Sequence, residues 1–305
     1  MPTKPHFGRI ALIGVGLIGS SLARVIHRDK LADEVVGCAR SQKTRDRIVE
    51  LGIVNRAEAD HGKAVEGADL VILCTHLGTY AEIGAAIAPH LKTGAIVTDV
   101  GSAKAAVIER LAAVLPDHVR LVPGHPVAGT EFSGPDAGFA ELFEGRWCVL
   151  TPPEGADPAA VEQVSALWRQ AGMDVEIMDA AHHDIVLALT SHLPHLIAYT
   201  IVGTATELEE DIKGEVVKFS AAGFRDFTRI AASDPVFWRD VFLANRDAVL
   251  ETLGRFTEDL TALKRAIRKG DGEALEALFT RTRDIRRGII AAHQEQAEVE
   301  KRREP

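Results

Sequence analysis

The sequence predicts an α/β fold, a doubly wound and mostly parallel sheet, followed by an all-α helical region. Three observations predict it. Short Val, Ile and Leu runs alternate with helix-like periodicity through the first 178 residues, the rhythm of repeated βαβ units. Those runs carry no polar alternation, as expected of strands covered by helices on both faces. After Asp179 the strand signal stops and apolar residues recur at three- and four-residue spacing, which marks helices.

Strands are expected at 9–13, 35–38, 70–74, 95–100, 120–123, 147–150 and 175–178, with helices at 17–29, 43–51, 79–91 and 104–115 between them. The Pro-rich text at 152–160 reads as a loop. Further helices are expected at 180–208, 215–232, 236–269 and 273–300, broken at Pro235 and at Gly270-Asp271-Gly272. This gives a first domain over 1–178 and a helical domain over 179–305. The stripe Val249, Leu250, Leu253, Phe256, Leu260 and Leu263 suits either packing within the helical domain or a dimer interface.

A chain of 305 residues fits two domains. Its net charge of -9 argues against nucleic acid or an anionic membrane surface as partner. No apolar targeting stretch precedes the first strand, and the apolar run at 193–203 is interrupted by Pro194, His195 and Thr200, which argues against a membrane span. Cys38, Cys74 and Cys148 lack CxxC spacing and fall in expected strands, so buried, reduced thiols and a cytoplasmic protein are expected.

Gly14-Val15-Gly16-Leu17-Ile18-Gly19 lies between the strand at 9–13 and the helix after it, the context in which GxGxxG binds a dinucleotide. Gly14 makes the tight turn, Gly16 admits the pyrophosphate, Gly19 lets the helix pack closely, and the helix N-terminus, entered at Leu17 and Ile18, receives the phosphates. The fold class is therefore Rossmann-type. Thr75, just past the strand at 70–74, joins the expected cofactor contacts, whereas Asp69 reads as a turn residue. At the end of the second strand Ala39 stands where an NAD enzyme usually carries an acid, and Arg40 follows. Arg40, with the hydroxyls of Ser41 and Thr44, suits a 2′-phosphate, so the cofactor is NAD(P) with NADP favoured over NAD.

Ser102 and Lys104 follow the strand at 95–100, and His125 follows the strand at 120–123. All three belong to the carboxyl edge, where open α/β sheets bind ligands. A serine hydroxyl there can orient the imidazole, hold a substrate hydroxyl, or cap the next helix. His182, His183, His192 and His195 crowd one helical segment, but without an HExxH pattern or a cysteine they point to substrate contacts or buried hydrogen bonds rather than a metal. Arg225 and Arg229 stand at i, i+4 and can hold carboxylates; Asp226 can instead neutralise one of them. Phe224, Phe227, Phe237 and Trp238 read mostly as core.

Together, Gly14–Gly19, Val100–Ser102, Gly124-His125-Pro126-Val127-Ala128-Gly129-Thr130-Glu131, Ser191–His195 and Gly223–Trp238 resemble the prephenate/arogenate dehydrogenase family over about residues 8–290. The resemblance implies a homodimer in which the helical domain both dimerises and binds substrate. It makes His125 the catalytic base, Ser102 its hydroxyl partner and Arg229 the main carboxylate ligand. His195, His192 and Trp238 become substrate contacts. Arg225 carries over less directly, because family members often have Lys there. The implied reaction is oxidative decarboxylation of a cyclohexadienyl alcohol, needing no metal. Glu131, Asp136 and Glu141 are the acids available to an arogenate ammonium. Two rivals differ in class. A β-hydroxyacid dehydrogenase would need a catalytic lysine, for which Lys213 and Lys218 are the candidates, and a silent NADP-sensing regulator would have no use for His125, Ser102 and Arg229 together.

Overall fold

β1 (Phe7–Ile13) is the strand around which the sheet is built, and its side chains alternate between two cores. In this computed structural model, which describes residues 4–206 and 221–291, Ile10 and Leu12 pack with Leu22, Ile26, Phe143 and Trp168. Ala11 and Ile13 enter the opposite cluster with Leu73, Tyr80, Val107 and Leu111. Burying each such Leu or Ile contributes about 1.5–3 kcal/mol, and this two-sided burial explains the unbroken apolar runs in the sequence.

β2 (Ala32–Cys38), β3 (Arg56–Glu58), β4 (Leu70–Leu73), β5 (Ile96–Asp99) and β6 (Arg120–Leu121) complete a parallel sheet in the order β3-β2-β1-β4-β5-β6. That is the order of a dinucleotide-binding sheet, with its crevice where the order reverses, between β1 and β4. The crossings are α1 (Leu17–Arg28), α2 (Gln42–Glu50), α3 (His61–Val65), α4 (Tyr80–Ile87) and α5 (Lys104–Ala112). β3 and α3 escaped the sequence reading because three and five residues are too few for a periodicity to register.

One expectation fails at the site itself. The strand expected at 120–123 stops pairing after Val122, whose N–H reaches the Val97 carbonyl. The chain then leaves for a second sheet of β7 (Gly124–Pro126), β8 (Trp147–Leu150) and β9 (Asp174–Ile177), with β7 antiparallel to β8 and β8 parallel to β9. The cause is the capture of Gly124 by buried charges: its N–H donates to Asp99 and its carbonyl accepts from Lys104 Nζ. His125 therefore sits mid-strand opposite Val149, not at a strand end. The loop expected at 152–160 also closes early, since Asp157 caps α6 (Pro158–Gln170).

The helical region begins with α7 (Ala180–Leu187), one π turn at Ala188–His192, and α8 (Leu193–Thr206). Pro194 does not break this path. The π turn precedes the point where proline lacks its N–H, and an 18-residue window within Ala180–Ala205 has mean hydropathy 1.6, enough by length and composition alone to cross a membrane. The segment nevertheless carries buried His183, Asp184 and His192, each hydrogen-bonded within the α/β core or to Asn245. Then come the helix Ala222–Thr228, a 3-10 turn Arg229–Ala232 and the helix Pro235–Ala244, which Asp234 caps. Trp238 and Val241 of that last helix belong to the second core cluster.

The chain forms two compact units, residues 1–249 and 250–305. The second holds most of the helix Arg246–Lys269 and the helix Gly272–Ala291. Within the stripe singled out above, Leu250 and Leu260 are exposed. Lys213 and Lys218 lie outside the described residues, as do parts of the helices expected at 215–232 and 273–300.

Two glycines of the first turn have opposite packing. A Cβ on Gly19 would stand 2.4 Å from the Gly14 carbonyl oxygen, whereas one on Gly16 would meet nothing within 4 Å. Gly19→Ala is expected to destabilise the fold by about 1–3 kcal/mol, and Gly16→Ala to leave the urea midpoint unchanged. Equal midpoints for the two variants would contradict this packing.

Candidate active site

At the crevice, Gly14 adopts φ +90°, and a Cβ there would lie 2.8 Å from the Cys74 carbonyl oxygen. Leu17 and Ile18 open α1, whose first turn has neither a side-chain cap nor an acidic residue. Its amides are thus left for an anion, favoured by the helix dipole. Together with the open space over Gly16, this fits a dinucleotide pyrophosphate. Thr75 lies just past β4, its Oγ1 accepting from Thr79 Oγ1 at 2.9 Å.

Beyond β2, Arg40 is exposed and its carbonyl, like that of Ala39, is held by Arg45 Nη1 at 2.7 Å. Ser41 caps α2 through the Thr44 N–H, and the two hydroxyls share a 2.7 Å hydrogen bond. The Arg45 guanidinium also donates to Gln42 Oε1 at 2.5 Å. Arg45 was not singled out in the sequence, because its neighbours gave no hint that it folds back over the strand end.

His125 is buried, and its Nδ1 lies 2.9 Å from His183 Nε2. His183 Nδ1 in turn donates to Asp184 Oδ1 at 2.8 Å. Ser102 does not orient the imidazole: its Oγ is buried with no hydrogen-bond partner. Nor does Ser102 cap α5. Ala103 occupies the cap position, and Asp184 accepts from the Lys104 and Ala105 amides at 2.7 and 2.9 Å. Ser102 Oγ is one of several buried polar atoms without a partner among the described residues, with Thr98 Oγ1 and Thr151 Oγ1. Lys104, fully buried, pairs with Asp99 at 2.5 Å.

On the helical side, His195 stacks on Trp238 with centroids 3.6 Å apart, and its Nδ1 donates to the Ser191 carbonyl at 2.8 Å. His192 meets the edge of Trp238 at 6.0 Å. Asn245 donates to His192 Nδ1 at 3.1 Å and to the Asp184 carbonyl at 2.7 Å. His192 Nε2 faces the Ser102 backbone without a well-formed hydrogen bond. Arg229 pairs with Glu131 at 3.0 Å, so the acid after the His125 strand sits beside the arginine expected to bind a carboxylate. Asp136 pairs instead with Arg47. Arg225 is exposed, and the Arg229 N–H donates to the Arg225 carbonyl at the C-cap of the same helix, so the two arginines stand one α-helical turn apart.

The structure thus brings His125 to His183, His192 to the Ser102 backbone, and His192 and His195 to Trp238. His183, Asp184 and Asn245 had no assigned role in the sequence, where His182-His183-Asp184 was only a histidine cluster. His182 is in fact exposed. Among the described residues no group of three or more His, Cys, Asp or Glu side chains is arranged to hold a metal ion.

Burial holds His125 well below the ordinary histidine range, reinforced by His183, Lys104 and His192. Burial also lowers His183, against the pull of Asp184, and lowers His195. It takes His192 down to about 4. The unfolded chain binds protons on these groups near pH ~6.5 while the folded chain does not. Stability is therefore complete above that pH and is lost as pH falls toward the folded values. The urea midpoint is expected to drop between about pH 7.5 and about pH 5, before most carboxylates titrate. An unchanged midpoint would mean these imidazoles are not held neutral.

Comparison with known proteins agrees with this geometry. The family model described as "Prephenate dehydrogenase, nucleotide-binding domain" matches residues 22–177, and "Prephenate dehydrogenase, dimerization domain" matches 179–281. The chain is similar to a cyclohexadienyl dehydrogenase of Zymomonas mobilis, with 42% identity over 94% of this chain and 98% of that one. It is also similar to the prephenate dehydrogenase of Bacillus subtilis, 32% identical over 92% of this chain and 76% of that one. Among solved structures, prephenate dehydrogenase from A. aeolicus in complex with hydroxyphenyl propionate and NAD+ superimposes with TM-score 0.85 and 32% identity, covering 95% of this chain and 100% of that one. With these matches in sequence and fold over most of its length, the chain belongs to the prephenate dehydrogenase family.

Proposed function

We propose that the chain catalyses oxidative decarboxylation of prephenate and of L-arogenate, with NAD(P)+ as hydride acceptor, giving 4-hydroxyphenylpyruvate or tyrosine. The observation that carries this reading is a buried His125, hydrogen-bonded to His183 and lying just past the carboxyl edge of a dinucleotide-binding sheet, on the same edge as the buried Ser102 hydroxyl. A bound nicotinamide supplies the hydride acceptor. His125 takes the proton of the ring C4 hydroxyl as that carbon is oxidised, and Ser102 Oγ holds the same hydroxyl in line. The dienone then loses the ring carboxylate as carbon dioxide, driven by aromatisation. Arg229 binds a substrate carboxylate, and stacked His195 and Trp238 wall the ring, with His192 beside them. Arg225 is a weaker candidate, reaching in from an exposed position.

Two finer assignments belong to the same reading. Glu131, beside Arg229, supplies the negative charge that an arogenate ammonium requires, which supports use of both substrates; the cyclohexadienyl dehydrogenase relative points the same way. Arg40, with no acid at Ala39, supports NADP over NAD. The match to a dimerization domain and the exposed Leu250 and Leu260 support a homodimer. The two family models meet at 177 and 179, which supports domains of 1–178 and 179–305. Unpaired thiols at Cys38, Cys74 and Cys148 suit a cytoplasmic enzyme.

His125→Asn is expected to lower kcat by about 10²–10⁴-fold with little change in KM, the usual worth of a positioned base; an undiminished kcat removes His125 from that role. Arg229→Ala is expected chiefly to raise KM, because the carboxylate it binds is present in ground and transition states alike. Steady-state nicotinamide reduction with prephenate and arogenate, each against NAD+ and NADP+, tests the whole reading. Activity with both substrates and preference for NADP+ are expected. Folded protein silent in all four combinations would return the β-hydroxyacid dehydrogenase and regulator readings.

A further inference from the structure

The hydrogen bonds behind His125 determine which of its nitrogens carries the proton. Asp184 is saturated with donors, accepting from the Lys104 amide and His183 Nδ1 at Oδ1 and from the Ala105 amide at Oδ2. A carboxylate so placed only accepts, so His183 Nδ1 bears the hydrogen and its Nε2 presents a lone pair. That lone pair lies 2.9 Å from His125 Nδ1, which must then be the N–H of a neutral imidazole. Nε2 of His125 is left bare, the only atom of the ring able to take a proton.

We propose that His183, itself held by Asp184, is the positioning residue that fixes His125 in the Nδ1–H tautomer and so makes Nε2 the base. This rests on the reading of His125 as the base of the reaction above. When Nε2 takes the substrate proton, the Nδ1–H bond to His183 persists and is strengthened by the new positive charge. No proton passes to Asp184, whose part is orientation. The same logic of a carboxylate fixing a tautomer underlies the serine-protease triad; here a second imidazole is interposed between carboxylate and base.

Asp184 also caps α5, so replacing it would disturb folding as well as chemistry. The discriminating variants are His183→Leu, which cannot accept from His125 Nδ1, and His183→Gln, whose side-chain oxygen can. In the full-length enzyme assayed with prephenate and saturating NAD+, His183→Leu is expected to lose about 10- to 100-fold in kcat, the cost of a lost buried hydrogen bond. KM for prephenate and the affinity for NAD+ stay near wild type. The primary isotope effect with prephenate deuterated at ring C4 is expected to be fully expressed, because the slowed step is chemical. His183→Gln is expected to recover most of the loss. Wild-type kcat in both variants overturns the proposal. So does an equal loss in both, which would make His183 a packing residue. If instead His125→Asn retains full activity, the base assignment itself fails whatever His183 does, and the two failures are told apart.

Discussion

The site depends on one buried ion pair. Lys104 and Asp99 have no solvent-exposed side chain and meet at 2.5 Å. Between them they take both backbone polar groups of Gly124, and Asp99 also accepts the Gly101 N–H. Burial lowers the Lys104 pKa and Asp99 opposes that shift. Removing one partner of such a pair costs about 3–5 kcal/mol, because the other charge is stranded. The pair turns the chain out of the parallel sheet at Gly124, and that turn puts His125 into the second sheet instead of extending β6.

The same corner joins the helical segment to the sheet. Asp184 of α7 caps α5, the helix that carries Lys104, while the neighbouring His183 reaches His125. Asn245 then ties the Asp184 carbonyl to His192, whose ring meets Trp238. Asp240, two residues past Trp238, accepts the Gly78 N–H just beyond Thr75. The sheet edge beside Thr75 and the helices carrying His192 and Trp238 are thus linked by short polar contacts through buried or half-buried groups. Positioning of this kind is what hydride transfer demands, since reacting groups must be held within a few tenths of an ångström.

Much of this was legible in the sequence, for physical reasons. Gly14 and Gly19 act through backbone constraints that only glycine relieves, so their spacing carries structure directly. The strands buried on both faces advertise themselves as Val/Ile/Leu runs. What stayed hidden depended on pairing across long sequence separations. Nothing near Gly124 states that Asp99 and Lys104 will capture it, so the second sheet and its antiparallel β7–β8 pair read as more of the first. Ser102 was an acceptable helix cap by local rules, but Asp184, about 80 residues away, does that work. His183 stood in a histidine cluster that local spacing could not divide into the exposed His182 and the buried partner of His125. The family resemblance proposed His125, Ser102 and Arg229 as the reacting residues, yet it said nothing of the hydrogen bond from His125 to His183.

The central claim is that His125 stands at neutral pH as an uncharged imidazole with its hydrogen on Nδ1 and its lone pair at Nε2. Nitrogen-15 chemical shifts of the His125 ring, assigned by comparison with His125→Gln, measure this directly. The account predicts a pyrrole-type signal for Nδ1 and a pyridine-type signal for Nε2. The reverse pattern, or a doubly protonated ring at neutral pH, would contradict it.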